Sequence, residues 1–363
     1  MQSRLAALAL VAAAAAACSD DDTQLVWRGE HITYVAEPST GFELCGGQIA
    51  FGDRLMTALS NTWGSDGVPD SVELELRLQG TESLAGRASR GFAWAGRQSS
   101  VRHELGHIVT IETSGSSSAV FGEGIAELMA PHGLLEYYLP PLPPEEFVYL
   151  QRPEFSAAEY YDGAKLISFF IRRNGLAAVR DAYEKVGPGS TPAEIDEAFI
   201  TAFGEDVFDA FDEFEAQQPC LVPLWQCNSA VVPAMELPFA LDLDPHRCQD
   251  ADIPGFTTPN SELWYPEYIG VLRLEEPRQL RYVLDNAFLN RLQCQDTCTP
   301  LPEELLEPWP VDTLSSELGS AQETGYGDFT RKTLPGEHYF ELRPLDPQLP
   351  FSVRITDEGP APD

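Results

Sequence analysis

His103-Glu104-Leu105-Gly106-His107 is the stretch of this chain that says most about its fold and chemistry. Residues four apart lie on one face of an α-helix, about one turn apart, so two histidines at this spacing can reach the same ion. The glutamate between them lies one step around the helix, where it can contact a water molecule on that ion without being a ligand. On a helix, the stretch therefore predicts half of a catalytic zinc site together with its base.

The residues around this motif favour a half-buried helix. Val101, Leu105, Ile108 and Val109 form an apolar stripe with helical spacing beside the two histidines. Gly106 costs a helix interior about 1 kcal/mol relative to alanine, and this cost is easiest to understand if another backbone passes close by.

A second acidic stretch, Glu123-Gly124-Ile125-Ala126-Glu127, supplies a candidate third ligand. A catalytic zinc ion takes three protein ligands and keeps a fourth position for water. A polar connection followed by a second helix would return Glu123 to the two histidines. Glu127 shares its face and is placed to accept the outer N–H of a ligand histidine. Without the upstream histidines, both glutamates would indicate only a solvated helix face.

Together the two motifs resemble those of the gluzincin-type zinc metallopeptidases, especially bacterial peptidase-MA-like domains whose second motif reads Glu-Gly-x-Ala-Glu. The resemblance implies that His103, His107 and Glu123 bind one Zn²⁺ ion per chain. Such a site would lower the pKa of the zinc-bound water from near 15.7 toward about 7. Glu104 would then be the general base, and would pass the proton to the leaving amine.

Other residues leave alternatives open. The metzincin continuation fits less well, because it needs glycine and histidine where this chain has Thr110 and Thr113. His132 has the context of a turn residue and is kept as a minor alternative ligand. Tyr160 or Tyr161 could donate a hydrogen bond to the developing oxyanion, as a tyrosine does in related aminopeptidases, but no motif chooses between them. Each tyrosine could equally pack in the helix that it begins.

The order of the remaining predicted elements favours an α+β fold. Before the metal helix come two alternating strands, a helix between them, and a short segment typical of either a substrate-binding edge strand or a plain edge hairpin. After it comes a helical cluster with capping boxes at Ser156 and Thr191. The predicted segments are strands at 25–36 and 71–78, a helix at 48–63, the edge segment at 91–96, and helices at 156–174, 176–186, from 191 and at 206–217.

Beyond Pro219 the chain becomes β-rich, with predicted strands at 269–274, 279–284, 338–342 and 351–355. We therefore predict a gluzincin-like metallopeptidase domain at 25–218, with a small N-terminal sheet, the metal helix and a helical C-terminal half. A small disulfide-bonded, β-sandwich-like accessory domain follows at 219–363. Residues 334–340 weakly resemble a hairpin of the β-sandwich modules that follow bacterial secreted peptidases. That domain would either bind substrate or a surface, or stabilise the enzyme.

The N-terminus is typical of an export signal. Arg4 precedes an uncharged stretch at 5–17, which is too short to span a bilayer. The sequence around Cys18 resembles a bacterial lipoprotein signal, which implies a signal peptide at 1–17, a lipid on Cys18 and a tether at 18–24. Ala15 replaces the usual leucine, and an Ala-x-Ala site would also suit ordinary signal peptidase. We expect a lipid-anchored protein of the bacterial cell envelope in preference to a soluble secreted one.

Cysteine content and net charge limit the disulfides and the partners that the chain can have. Without Cys18, six cysteines remain, which in an oxidising compartment favours up to three disulfides of unknown connectivity. A metal site at Cys294 and Cys298 would lack histidine partners. The formal net charge of −34 argues against nucleic acid and against attraction to an anionic bilayer, so any membrane attachment must come from the lipid. The expected partner is a peptide or protein substrate, and the oligomeric state stays open.

Three classes of function fit these residues. The leading hypothesis is an exported zinc-dependent peptidase, with an endopeptidase favoured over an aminopeptidase because the amine-recognition motif Gly-x-Met-Glu-Asn is absent upstream of His103. The alternative is a catalytically inactive binding or structural lipoprotein on a peptidase scaffold. The third class is a zinc hydrolase of a non-peptide amide or of cell-wall peptide. Glu104 favours an enzyme, because decayed sites commonly lose the base or a ligand. Substrate specificity is not indicated.

Overall fold

The structure of the protein is a computed structural model that describes residues 24–78, 86–129, 142–151, 157–216, 222, 224–244, 248–259, 263–294 and 322–361. In these ranges the chain forms fourteen strands, eight α-helices and one short 3-10 helix. This content agrees with the predicted α+β class. No helix in these ranges has both the length and the apolar composition needed to cross a membrane.

A five-stranded sheet forms the N-terminal part, in the order β1-β2-β4-β6-β5. Strands β2, β4 and β6 are parallel, whereas β1 and β5 pair antiparallel to their neighbours. The buried side chains of β4 alternate with exposed ones, as the sequence predicts. The strands are β1 (Leu25–Arg28), β2 (Ile32–Ala36), β4 (Val72–Leu76), β5 (Gly86–Ser89) and β6 (Phe92–Ala95).

One prediction for this sheet is wrong in detail, and for another the structure agrees with one of two alternatives. Residues 25–36 form a hairpin rather than one strand, because Gly29 N–H bonds to Ile32 O and the Asp53 carboxylate accepts the N–H groups of the turn. The segment 91–96 contains β6, which is interior, so it is not the edge strand itself. It belongs to an edge hairpin, the other alternative, in which β5 is the edge and a turn at Gly91, whose φ of 65° favours glycine, joins β5 to β6.

Helices pack against this sheet and build the rest of the N-terminal part. The predicted helix at 48–63 is found at those bounds. The capping box at Thr191 is also confirmed, whereas Ser156 lies outside the described residues. The last helix begins later than predicted, because Asp206 first accepts the N–H groups of Phe208 and Asp209 in a turn. The helices are α1 (Gln48–Trp63), α2 (Gln98–Ser114), α3 (Ala119–Met129), α4 (Pro144–Phe147), α5 (Ala157–Asn174), α6 (Leu176–Lys185), α7 (Pro192–Phe203) and α8 (Phe211–Ala216).

The C-terminal part is one hydrogen-bonded sheet of seven strands rather than two separate sheets. Its central strand, β11, is far longer than the predicted 279–284, and β12 was not predicted at all. One edge of β11 pairs with β12, while the other pairs first with β14 and then with β13. The change of partner falls at Asn286, which has a φ of 49°. The strands are β7 (Ala234–Met235), β8 (Phe239–Leu243), β10 (Tyr268–Leu274), β11 (Arg278–Gln293), β12 (Gln322–Thr333), β13 (Gly336–Pro344) and β14 (Phe351–Pro360).

Packing and covalent links cross the change from helices to strands. One hydrophobic cluster joins the helices and the five-stranded sheet to residues such as Trp225 and Trp264, and a second lies within the seven-stranded sheet. Strand β3 (Glu43–Leu44) pairs with β9 (Phe256–Thr257). Disulfides join Cys45 to Cys248 and Cys227 to Cys294, whereas Cys220 and Cys298 lie outside the described residues. The domain boundary at 218/219 stays a prediction.

Candidate metal centre

The two motif stretches lie on helices α2 and α3, which pack closely because of glycine. A Cβ atom on Gly106 would lie 2.9 Å from the Met129 sulfur and 3.5 Å from the Ala126 Cα. A Cβ on Gly124 would lie 2.8 Å from the Gly163 carbonyl carbon of α5. The backbone of α5 therefore excludes a larger side chain at Gly124, whereas a larger side chain at Gly106 would have to displace Met129. The backbone of α3 does pass close to Gly106, as the sequence predicts.

His103, His107 and Glu123 converge on one point. The Nε2 atoms of the histidines are 3.1 Å apart, and the Glu123 Oε2 lies 3.3 Å from His103 Nε2 and 3.0 Å from His107 Nε2. Ligands at about 2.0–2.1 Å from a zinc ion lie about 3.3 Å apart when they are tetrahedral. Each of the three residues is at most 6% exposed. This group could hold a metal ion, and its two nitrogens and one oxygen are donors that zinc accepts.

Glu127 lies behind the cluster and is fully buried. Its Oε2 is 3.3 Å from His103 Nδ1, so it contacts the first of the two histidines. If Nδ1–H of a neutral His103 donates to Glu127, the lone pair of Nε2 points to the same place as the Glu123 oxygen. Two acceptors that face each other in a buried site need a cation between them.

Charge around His103 leads to the same conclusion. Burial, the largest influence, lowers the pKa of His103, but hydrogen bonds to Glu123 and Glu127 and the charge of Glu104 outweigh it and raise the pKa to about 10. The three carboxylates thus favour positive charge at this histidine. A proton or a divalent cation between the ligand atoms would supply it.

Glu104 is 4% exposed and lies beside the edge strand β5. A Cβ atom on Gly86, the first residue of β5, would lie 1.8 Å from the Glu104 Oε1. The carboxylate therefore occupies the space that any side chain at position 86 would need. This contact could not be predicted from the sequence, since Gly86 belongs to none of the motifs.

The structure places the two candidate tyrosines differently. The Tyr160 ring stacks on the His103 ring, with centroids 5.9 Å apart and planes at 27°. Tyr161 is 7% exposed and belongs to the hydrophobic cluster of the helices. Tyr160 thus lies against a candidate ligand. His132 and Cys18 lie outside the described residues.

Sequence reasoning missed a buried charged group next to the site. Arg102 precedes the first histidine and is 4% exposed, and its Nη2 lies 3.4 Å from Glu267 and 3.3 Å from Glu341. A charged residue within the apolar run of α2 was the available sign. Its partners, more than 160 residues away, could not be identified from spacing.

Comparisons with known proteins do not identify a family for this chain. No protein-family model and no curated protein matches the chain. Among solved structures, Legionella pneumophila aminopeptidase A in complex with aspartic acid is a distant neighbour, with 12% identity and a TM-score of 0.35. The match covers 90% of this chain and 36% of the aminopeptidase chain, so this chain spans little more than a third of that protein's length.

Proposed function

We propose that the protein is an exported zinc-dependent peptidase that hydrolyses peptide bonds with Glu104 as general base. The carrying observation is the convergence of His103, His107 and Glu123, whose ligand atoms lie 3.0–3.3 Å apart on buried helices. Glu104 is on the same helix and one step from the first histidine. A site kept only for structure would have no use for this fourth residue.

The residues around the cluster have distinct roles in the proposed reaction. When bound, a zinc ion supplies a Lewis acid that lowers the pKa of a water molecule and polarises a carbonyl. Glu104 accepts a proton from the water and passes it to the leaving amine. Glu127 holds His103 in one orientation. Tyr160, stacked on His103, is our candidate donor to the developing oxyanion.

Strand β5 supports a peptide as the substrate. It pairs with β6 on one side, and within the described ranges no strand pairs with its other side. An extended peptide could add to this edge through main-chain hydrogen bonds, with side chains alternating between the two faces. Gly86 would bring such a peptide beside Glu104. A cleft that binds the middle of an extended chain favours an endopeptidase.

Metal analysis and one substitution test the proposal. Purified wild-type protein should retain about one zinc ion per chain after dialysis. Glu104→Gln should keep the zinc but lower kcat on a mixed peptide library about 10²- to 10⁴-fold. Glu112→Gln, on the same helix, is the matched control and should hydrolyse the library at the wild-type rate.

Each other outcome has a definite meaning. Wild-type protein without zinc would exclude the metal-dependent reaction. Equal turnover by wild type and Glu104→Gln would remove Glu104 from its role. Bound zinc without hydrolysis of any peptide would support the inactive binding or structural lipoprotein instead.

The proposed location is the bacterial cell envelope, with a lipid on Cys18. In a bacterial host, the full-length chain should fractionate with membranes, and its N-terminal peptide should carry the mass of the lipid. Cys18→Ala should release the protein from the membrane fraction. Membrane association that survives this substitution would exclude the lipid anchor.

A further inference from the structure

Trp225 lies where four elements of the structure meet. It is 1% exposed. Its ring packs edge-on against Phe51 of α1 at 5.9 Å and against Tyr339 of β13 at 5.8 Å, between centroids. The Arg102 guanidinium carbon of α2 lies 5.7 Å from the ring centroid. The indole N–H donates a hydrogen bond to the carbonyl oxygen of Met129, the last residue of α3.

The next residue strengthens the contact with α3. Gln226 is 4% exposed, and its side-chain amide donates to the Leu128 carbonyl at 3.4 Å. Its Oε1 accepts the backbone N–H groups of Leu224 at 2.9 Å and Trp225 at 3.1 Å, which fixes the side chain. The last carbonyls of a helix have no partner within the helix. Two consecutive residues from the C-terminal part therefore bind the C-terminal end of α3.

The position of this helix end controls the metal ligands. Glu123 and Glu127 both lie on α3, and Met129 packs against Gly106 between the two histidines of α2. A shift of α3 would change the distance from Glu123 to both histidines at once. Metal sites require their ligands to be held within about 0.5 Å of the productive geometry.

The segment that carries Trp225 is itself fixed to the β-rich part. The Cys227–Cys294 disulfide ties it to the residue after β11. Arg102, which packs on the indole ring, is paired with Glu267 and Glu341 of the same part. The link from the seven-stranded sheet to α2 and α3 therefore includes a disulfide, ion pairs, a cation–π contact and the hydrogen bonds of Trp225 and Gln226.

We infer that Trp225 is a positioning residue for the metal centre, and that the β-rich part completes this centre rather than accompanying a self-sufficient domain. The inference rests on the proposed function for the identity of the ion, but not for the placement of α3. Trp225 acts through Met129 and α3 and touches no ligand itself.

The experiment compares two tryptophan substitutions in the full-length chain. Trp225→Phe keeps an aromatic ring and removes the indole N–H. Trp264→Phe is the matched control: Trp264 is also 1% exposed and in the same cluster, its ring packs on Phe42 and Phe256, and its indole nitrogen makes no hydrogen bond within the described residues. The readouts are Zn²⁺ affinity by competition with a chelator, the visible spectrum of Co²⁺-substituted protein, and hydrogen exchange of peptides that cover residues 119–129.

Trp225→Phe should bind Zn²⁺ about tenfold more weakly, the lower end of the range for groups that support ligands. It should also change the Co²⁺ spectrum and exchange faster at residues 119–129, while Trp264→Phe changes none of these. Equal behaviour of the two variants would overturn the inference. If Trp225→Phe does not fold, Gln226→Glu, which keeps the acceptor and loses the donor to Leu128, is measured in its place.

The design separates this inference from the proposed function. If the wild type binds no Zn²⁺, the proposed function fails, and hydrogen exchange still decides the role of Trp225. Faster exchange at residues 119–129 in Trp225→Phe alone would keep the positioning role. Unchanged exchange would remove it, whatever the metal result.

Discussion

The helical site and the seven-stranded sheet each contain a buried histidine, His103 and His338, and the pKa values of the two are shifted in opposite directions. His338 of β13 is 1% exposed, and burial together with the charge of Arg291 lowers its pKa to about 3, despite its hydrogen bond to Leu334 O. His103 is buried to a similar degree, but the surrounding carboxylates raise its pKa to about 10. Burial acts in the same direction on both. The neighbouring charge therefore decides which buried imidazole can share a cation and which stays neutral.

A third group, at the contact of the two regions, shows that buried charge alone does not mark a site. Arg102 and Arg343 lie with Glu267 and Glu341 in a network of two positive and two negative side chains. Their charges balance. Around His103 and His107, the carboxylates of Glu104, Glu123 and Glu127 outnumber the two imidazoles, and together they raise the pKa of His103. A divalent cation would balance this negative charge.

The largest predicted effect comes from disturbing the balanced network. Arg102→Met removes the cation that lies closest to Glu267 and Glu341 and leaves only Arg343 to oppose their two negative charges, so the free energy of unfolding should fall by about 3–5 kcal/mol. Urea unfolding of metal-free protein measures the change. Arg281→Met, which removes an exposed pair with Asp328, is the control and should matter far less. An Arg102→Met protein as stable as wild type would mean that the network contributes no net stability.

Next in size is the loss of a ligand from the unbalanced cluster. Glu123→Gln removes the only carboxylate among the three converging residues. It should weaken Zn²⁺ binding at least about a hundredfold, because losing a metal ligand costs more affinity than losing a residue that hydrogen-bonds to a ligand. Chelator competition measures the affinity, with Glu112→Gln as the control. Since one negative charge also leaves the site, urea unfolding of the metal-free variant should show no loss of stability. Unchanged affinity would exclude Glu123 as a ligand.

A smaller effect on Zn²⁺ affinity is expected from Glu127, which contacts the ligand His103. Glu127→Gln keeps the shape of the side chain but removes the charge that faces His103 Nδ1, so Zn²⁺ affinity should fall about tenfold to fiftyfold. The same competition assay applies. Glu127→Ala should be worse than Glu127→Gln, because it removes the acceptor as well. If all three proteins bind equally, the contact with His103 has no influence on the metal.

The smallest effect concerns His338 and pH. The unfolded state takes up a proton near pH 6.5 and the folded state only near pH 3, so stability is lost as pH falls through this range. Between about pH 7 and about pH 5.5 the loss should be about 1 kcal/mol. Metal-free wild type and His338→Gln are compared by urea unfolding, and only the wild type should show this part of the pH dependence. If the free energies of unfolding of the two proteins change with pH in parallel, the pKa of His338 is not lowered in the folded state.

The convergence of His103, His107 and Glu123 could be predicted from the sequence, because the spacings that bring them together are local. His103 and His107 are one helical turn apart, and Glu123 follows after a short connection, so helix geometry and ligand chemistry suffice to bring them together. The helix at 48–63 and the capping box at Thr191 are confirmed for the same reason. Local hydrogen bonds and apolar periodicity determine such elements.

What escaped prediction depends on contacts between distant residues. The edge strand β5 has no apolar alternation, and only its pairing with β6 identifies it. The full length of β11 depends on three partner strands, and Asn286 is recognisable only from the turn at 346–350 that its side chain binds. Trp225 has no motif, because its role comes from four elements that are far apart in the sequence.

The Cys45–Cys248 disulfide closes a covalent ring of the chain, and its two cysteines are separated by 203 in residue number. All five of His103, Glu104, His107, Glu123 and Glu127 lie inside it. A protease that cuts the backbone once anywhere within this ring therefore releases nothing, since both fragments stay joined through the two cysteines. A protein that is exposed to proteases would survive such a cut as one molecule, and reduction would be needed to separate its halves.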